Sequence, residues 1–317
     1  MKIWQGIGHF NKLPFAVVTS GTFDGVHLGH RKILGRLTEL AKKYQGESVV
    51  LTYWPHPRLV LNPSDTSIRL LNTFREKCEK LEALGIDHLI SIPFTRSFSE
   101  MSADQFVREV LVDRIGTRKL VIGYDHHFGK NREGNFEQLT KAGPVLGFEV
   151  EEIPREDIDD AGISSSAIRR FLNEGTVLKA NQLLGDPYVL RGKVVGGEQI
   201  GRQLGFPTAN ISLEKSDDAD SIYKLIPADG IYAVLVRIGS DQHAGMLYIG
   251  NRPTVGGVHK VVEVNILDFN RQIYGEMLEV VFIDRIRGDI RFESLDELKA
   301  QLVQDRISTI EILQHGN

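Results

Sequence analysis

The chain of 317 residues contains a single cysteine, Cys78. One thiol excludes an internal disulfide and fits a reducing compartment. Cys78 shares helical spacing with Phe74, Leu81 and Leu84, so it reads as a core thiol. No run of ~18 apolar residues occurs, so no membrane span is expected. The start, Met1-Lys-Ile-Trp-Gln-Gly6, lacks the apolar segment of a signal peptide. Neither sign of charge dominates: 38 Lys and Arg face 42 Asp and Glu, a net charge of −4. That balance excludes bulk attraction to nucleic acid or to an acidic membrane. There is no internal repeat and no low-complexity tract, and Ser216-Asp-Asp-Ala-Asp-Ser221 reads as a solvated loop. At 41% apolar and 25% charged residues, the composition is that of ordinary globular protein. At about 150 residues per domain, the length suggests two. A cytoplasmic enzyme with small-molecule substrates is the expectation, without nucleic-acid or membrane partners.

The two halves differ in rhythm. In the first, short apolar runs at Phe15–Ser20, Ser48–Trp54, His88–Ile92, Lys119–Tyr124 and Gly147–Ile153 alternate with helical patterns. Continuous apolar runs suit strands buried on both faces, and alternation of strand and helix predicts a parallel sheet covered by helices. Thr73-Phe-Arg-Glu76 and Ser102-Ala-Asp-Gln105 match the capping box, while Gly85 and Gly116 fit helix ends. After Gly185-Asp-Pro-Tyr188 the helices stop. Tyr188–Val195, Gly230–Ile238, Gly245–Ile249, Lys260–Phe269 and Glu276–Arg285 have strand composition and Gly/Pro/Asn turns between them. They predict an antiparallel, closed barrel. A last helix is capped by Ser294 with Glu297, and Leu295, Leu298, Leu302, Ile307 and Ile310 form its expected apolar side. The expected domains are 1–185, an α/β module, and 186–317, the barrel; Gly175–Gly185 reads as a helix that could link them.

The most informative stretch is Gly21-Thr-Phe-Asp-Gly-Val-His-Leu-Gly-His30. It joins the Phe15–Ser20 strand to a helical pattern over Arg31–Gln45. His27 and His30 are three apart, which places them on one face of the helix's first turn. A helix start offers free N–H groups and a positive dipole end, and Gly29 lets a ligand approach the backbone. The HExxH metal pattern is absent, and a glycine-rich polar run is unsuited to core packing. Phosphate chemistry fits best. In a parallel sheet, ligands sit beyond the carboxyl ends of the strands. Both Gly21–His30 and the loop Gly123–Gly134 follow strands and could face one pocket.

The first half ends on Gly162-Ile-Ser-Ser-Ser-Ala-Ile-Arg-Arg170. Alone this is a serine-rich helix cap. Beside a His-x-x-His phosphate loop it supplies what nucleotidyl transfer needs. A phosphate attacking the α-phosphorus of ATP is already ionised and requires no general base. The demand is for fixed donors and cations around phosphorus, here His27, His30, Arg169 and helix N-termini.

These paired motifs resemble those of the bacterial bifunctional riboflavin kinase/FAD synthetases. Trp54-Pro-His-Pro57, Phe94–Ala103 and Val121–Lys130 follow in that family's order. So do Gly201-Arg-Gln-Leu-Gly-Phe-Pro-Thr-Ala-Asn210, Ile249–Thr254, Val262–Phe269 and Ile273-Tyr-Gly275. The resemblance implies that His27 and His30 stabilise the ATP phosphates, with Gly21, Thr22, Phe23, Asp24 and Gly29 around them. It implies that Ser164, Ser165 and Arg169 hold the leaving pyrophosphate. Asp125 would contact flavin or ATP, and Phe128, Pro55, His56 and Pro57 would shape the flavin site. In the barrel, Gly201 and Gly205 would lie in the ATP loop, Thr208 and Asn210 would ligate Mg²⁺, and Glu263 would be the base for the ribityl hydroxyl. On residues alone, Gly201–Asn210 reads as a Gly/Pro turn and Glu263 as a solvent-facing carboxylate.

Thr22 stands where the family often has Asn, and Asp125-His-His-Phe-Gly129 replaces a DFxFG loop. Ser166 replaces Thr and keeps a hydroxyl, while Asn265 takes the place of a frequent His. No charged catalytic group is lost, so both activities are expected: riboflavin to FMN with MgATP, then FMN and ATP to FAD and pyrophosphate. The competing readings are a nucleotidyltransferase for another phosphorylated cofactor precursor and a flavin-binding regulator with one inactive module.

Overall fold

The computed structural model describes residues 1–65, 67–154, 162–197, 200–213, 219–254 and 257–315. Part of the 216–221 loop, and residues 198 and 199, lie outside them. The chain packs as two compact units, Met1–Ser165 and Ser166–Asn317. This division in packing precedes Gly185, where the boundary between activities is expected.

The first unit is built on a six-stranded parallel sheet: β1 (Lys2–Gln5), β2 (Ala16–Ser20), β3 (Glu47–Trp54), β4 (His88–Pro93), β5 (Thr117–Gly123) and β6 (Glu149–Ile153). Their spatial order is β1-β4-β3-β2-β5-β6. Five of these are the expected runs. β1 was not expected, because Ile3 and Trp4 side by side give neither the length nor the alternation of a strand; it exists by pairing Lys2–Gln5 with His88–Ser91 of β4. Alternate residues feed two cores. Val17, Val50, Leu89 and Val121 meet Leu34, Leu37, Leu40 and Leu81 of the helices Leu28–Lys43 and Phe74–Ala83. Val18, Val49, Leu51 and Leu120 meet Phe106, Leu111 and Leu139 on the other face. From β2 the chain proceeds outward to β3 and β4, then returns to place β5 on β2's other side. The carboxyl ends of β2 and β5 are therefore the topological switch point, where such sheets bind ligands. Both expected capping boxes form, Thr73 with Glu76 and Ser102 with Gln105. After Gln105 the winding widens into a π-helix, Phe106–Ile115, closed by left-handed Gly116.

The second unit is a closed antiparallel barrel of β7 (Val189–Val195), β8 (Ala209–Ser212), β9 (Gly230–Ile238), β10 (Asp241–Thr254), β11 (Gly257–Ile266) and β12 (Met277–Arg287). The order around it is β10-β11-β8-β7-β12-β9. β8 was not expected; it begins inside the Gly201–Asn210 motif and pairs with both β7 and β11. Helices Ser165–Glu174 and Val177–Leu184 pack within this unit: Asn181 donates to the Phe282 carbonyl and accepts from the Tyr188 N–H.

The last helix, Leu295–His315, starts as expected: the Ser294 hydroxyl accepts the Glu297 N–H. Its packing face shares only part of the expected apolar side: Leu302 packs against the barrel core. Leu295, Ile307 and Ile310 are exposed, whereas Asp305 and Thr309 are buried. The reason is an ion pair. Arg287 of β12 grips both Asp305 oxygens, at 2.9 Å from Nε and 2.7 Å from Nη2. That pair draws the helix round, so the inward stripe runs through Leu302, Asp305 and Thr309. Removing one partner of a buried pair strands the other. Asp305→Ala is expected to cost the barrel roughly 2–4 kcal/mol in urea unfolding, against less than about 1 kcal/mol for Ile307→Ala.

Candidate active sites

In the first unit the Gly21–His30 loop leaves β2 in a constrained conformation. Phe23, Gly25 and Val26 all have positive φ, at 46°, 91° and 45°. For a β-branched residue such as Val26 this is strained, on the order of 1–3 kcal/mol, and such strain collects at ligand sites. Three tethers hold the loop. The buried Asp24 carboxylate accepts the Leu71 N–H at 3.0 Å and the Asn72 N–H at 3.2 Å. The Ser165 hydroxyl donates to the Asp24 carbonyl at 2.9 Å. Arg31 Nε donates to the Val26 carbonyl at 3.1 Å. The Ser165 bond brings the serine motif onto the phosphate loop, a pairing that sequence separation alone could not display.

His27 is the N-cap of helix Leu28–Lys43, and its Nδ1 accepts the His30 backbone N–H at 3.3 Å. The neutral His27 ring therefore carries its proton on Nε2. The rings of His27 and His30 stack 3.6 Å apart at 16°. Gly29 is buried in the turn between them. His30 Nδ1 is enclosed without a hydrogen-bond partner. Burial, then the nearby His27 and Lys77, holds the His30 imidazole well below its usual pKa, so it stays neutral near pH 7. Lys77 escaped the sequence reading. It is 1% exposed and donates from Nζ to the Thr22 carbonyl at 2.7 Å. Its one visible signal was position: a lysine on the same helix face as Phe74, Cys78 and Leu81. Ser164 and Ser165 stand at the start of helix Ser165–Glu174, and Arg169 lies about one turn further along it.

At the ends of β3 and β5 lie the expected flavin residues. His56 caps the short helix Pro57–Leu61, with Nδ1 accepting the Arg58 N–H at 3.2 Å, and Pro55 precedes it. Asp125 is exposed in the turn after β5, whereas Phe128 is buried and stacks with His126 at 5.7 Å. His126 Nε2 and the Ser20 hydroxyl are hydrogen-bonded at 3.3 Å. Ser20 also bonds the Tyr53 hydroxyl, whose pKa burial pushes up to about 12. Thus His126 and Ser20 join the carboxyl ends of β2 and β3 to the loop after β5, and His127 stays exposed.

In the barrel, the β8–β11 register sets Asn210 opposite Glu263. Thr208 Oγ1 donates to Glu263 Oε2 at 3.1 Å. Glu263 is buried, not solvent-facing. Asn265 Nδ2 donates to the Pro207 carbonyl at 2.7 Å, so this departure fixes the turn that carries Thr208. The turn is tight: the Phe206 N–H meets the Gly201 carbonyl at 2.8 Å, and Gly205 has φ of 84°. A Cβ on Gly197 would come within 2.1 Å of the Asn210 side-chain amide, so a larger residue there would displace that amide. Burial, then Asp289, raises the pKa of Tyr248, which pairs with Glu263 across the ladder, to about 12. Thr208, Asn210 and Glu263 offer hydroxyl, amide and carboxylate oxygens, a donor set suited to Mg²⁺. Among the described residues, no three His, Cys, Asp or Glu side chains gather as a metal cluster.

A phosphate loop at the switch point of a parallel sheet, and an oxygen-lined carboxylate site in a barrel, define an enzyme with two phosphate-handling modules. Residues 10–167 match the family model for FAD synthetase, and residues 184–313 match that for riboflavin kinase. The bifunctional riboflavin kinase/FMN adenylyltransferase of Escherichia coli (strain K12) is 37% identical over 98% of this chain and 97% of its own. That of Haemophilus influenzae is 38% identical over 96% and 97%. A solved structure described as a macrolide-efflux protein from Streptococcus pneumoniae has a TM-score of 0.86 and 31% identity, covering 97% of this chain and 98% of that one. The chain belongs to the bifunctional riboflavin kinase/FMN adenylyltransferase family. Among the described residues, no helix is long and apolar enough to cross a membrane.

Burial, then His127 and Arg132, lowers the His126 pKa to about 4, against 6.5 for the ordinary imidazole. The unfolded chain therefore binds the extra proton first as pH falls. The contribution of neutral His126 is complete above pH 6.5 and lost on acidification toward pH 4. Relative to pH 7.5, His126→Phe should reduce the loss of stability at pH 5 by roughly 1–2 kcal/mol, read from urea midpoints.

Proposed function

We propose that residues 1–185 transfer AMP from ATP to FMN and that residues 186–317 phosphorylate riboflavin with MgATP. The substrates and products are riboflavin, FMN, FAD and ATP, as membership of the family implies. The observation that carries the first assignment is the hydrogen bond from Ser165 to the Asp24 carbonyl, which ties the two phosphate motifs together.

In adenylyl transfer the FMN phosphate oxygen attacks the α-phosphorus of ATP, and pyrophosphate leaves. The nucleophile is already anionic, so the protein's task is to hold phosphates and offset charge. His27, with its proton on Nε2, and neutral His30 are N–H donors to the phosphates, and His30 can take up a proton when the triphosphate brings its charge. The amides of Gly21, Thr22, Phe23 and Gly29 line the same loop. The Asp24 carboxylate serves by anchoring, since it accepts the Leu71 and Asn72 amides. Ser164, Ser165 and Arg169 would hold the departing pyrophosphate. Pro55, His56, Pro57, Asp125 and Phe128 would frame the flavin.

In the barrel an alcohol must become a nucleophile. Glu263 would accept the proton of the ribityl hydroxyl as its oxygen attacks the γ-phosphorus. Thr208 and Asn210 would hold Mg²⁺, and the Gly201–Gly205 turn would face the nucleotide phosphates. Bound there, Mg²⁺ supplies charge neutralisation to the β- and γ-phosphates.

Two chemistries on two units should fail separately. Incubation with riboflavin and MgATP, followed by chromatography of the flavins, should give FMN and FAD. His30→Ala should stop at FMN, with adenylylation down by about two to three orders of magnitude. Glu263→Ala should lose FMN formation by at least about 100-fold yet convert supplied FMN to FAD normally. A wild-type rate for either variant in its own step contradicts its assigned role. Unchanged riboflavin that nevertheless binds tightly would point to a regulator.

A further inference from the structure

Lys77 is the fourth residue of a helix whose N-cap is Thr73, and its side chain is 1% exposed. A lysine is kept from water only where its ammonium has something to hold. Here Nζ donates to the Thr22 carbonyl at 2.7 Å and stands 5.0 Å from the centroid of the Trp54 ring. The bond matters because of what Thr22 is joined to. A peptide unit is planar and trans, so a Thr22 carbonyl held toward Lys77 sends the Phe23 N–H to the opposite side of the loop. Phe23 itself has a left-handed backbone, at φ 46°, so the loop has no relaxed conformation of its own to keep that peptide in place.

Charge reinforces the geometry. The charged or titratable groups that act on His30 are the stacked His27 ring and the Lys77 ammonium. Lys77 is one of the groups that disfavour the charged form of His30. A site whose loop is backed by the Lys77 ammonium and whose imidazole is neutral meets an incoming triphosphate with capacity to gain a proton.

We propose that Lys77 is a positioning residue for adenylyl transfer: it fixes the Thr22–Phe23 peptide so that the loop amide faces the phosphates, and it supplies a fixed positive charge behind the loop. This rests on the reading of Gly21–His30 as the ATP site.

The test uses the full chain with Lys77→Met, Lys77→Arg and His30→Ala. Three quantities are measured: kcat/KM for ATP in FMN adenylylation, riboflavin phosphorylation in the same samples, and the titration of His30 by histidine NMR. Lys77→Met should lose about 10- to 100-fold in adenylylation while riboflavin phosphorylation is unchanged. Its His30 should titrate at higher pH than in the wild type; because opening the site to water acts in the same direction, the charge-retaining Lys77→Arg separates the two causes. Lys77→Arg should keep the low titration and recover part of the rate. Wild-type adenylylation by Lys77→Met, or a His30 titration that ignores the loss of Lys77, overturns the proposal. If Lys77→Met does not fold, Lys77→Arg decides: a folded variant with His30 in the ordinary imidazole range overturns it, and a low His30 titration with partial activity supports it. His30→Ala separates the two levels. If it adenylylates FMN at the wild-type rate, the reading of the loop as the ATP site fails. If it is inactive while Lys77→Met is fully active, only the role of Lys77 fails.

Discussion

Asp24 is held at both ends of its residue, and the conformation of the Gly21–His30 loop depends on that. Its carboxylate takes the Leu71 and Asn72 amides, and its carbonyl takes the Ser165 hydroxyl. Between these anchors the loop can sustain positive φ at Phe23, Gly25 and Val26. Strain of this kind persists only where surrounding contacts over-determine it. The anchored loop in turn delivers His27 to the helix N-cap and His30 one turn on, with their rings stacked. A buried carboxylate thus acts here through the backbone it organises.

The barrel solves a different problem by register. Because β8 pairs with β11 at Asn210 and Glu263, an amide oxygen and a carboxylate face each other without any long loop to position them. Thr208 joins them through the turn that Asn265 pins at Pro207. The contrast follows from the chemistry. Under the proposed assignment, an anionic phosphate nucleophile needs donors and cations, which helix termini and imidazoles would supply, and an alcohol nucleophile needs a positioned base, which a carboxylate on a rigid strand would supply.

Much of this was legible in the residues. Five of the parallel strands, both capping boxes and the barrel announced themselves through apolar runs and caps. What stayed hidden depends on partners far apart in the chain. β1 is only four residues long and exists through pairing with β4, and the four-residue β8 begins inside a motif that reads as a turn. The last helix rotated away from its own apolar pattern because Arg287 pairs with Asp305. Lys77 looked like any helix lysine until its distance to Thr22 could be seen. His126 and Asn265, departures from the family pattern, gained roles only when Ser20 and Pro207 were placed beside them.

The central claim is that the Asp24 anchor makes the phosphate loop competent. The most direct measurement is FMN adenylylation by Asp24→Asn, with riboflavin phosphorylation by the same sample as control. The amide keeps the shape but is a weaker, single-oxygen acceptor for the Leu71 and Asn72 N–H groups. The expected result is a fall in adenylylation of about 100-fold or more with phosphorylation intact. Equal and undiminished rates in both steps would contradict the claim.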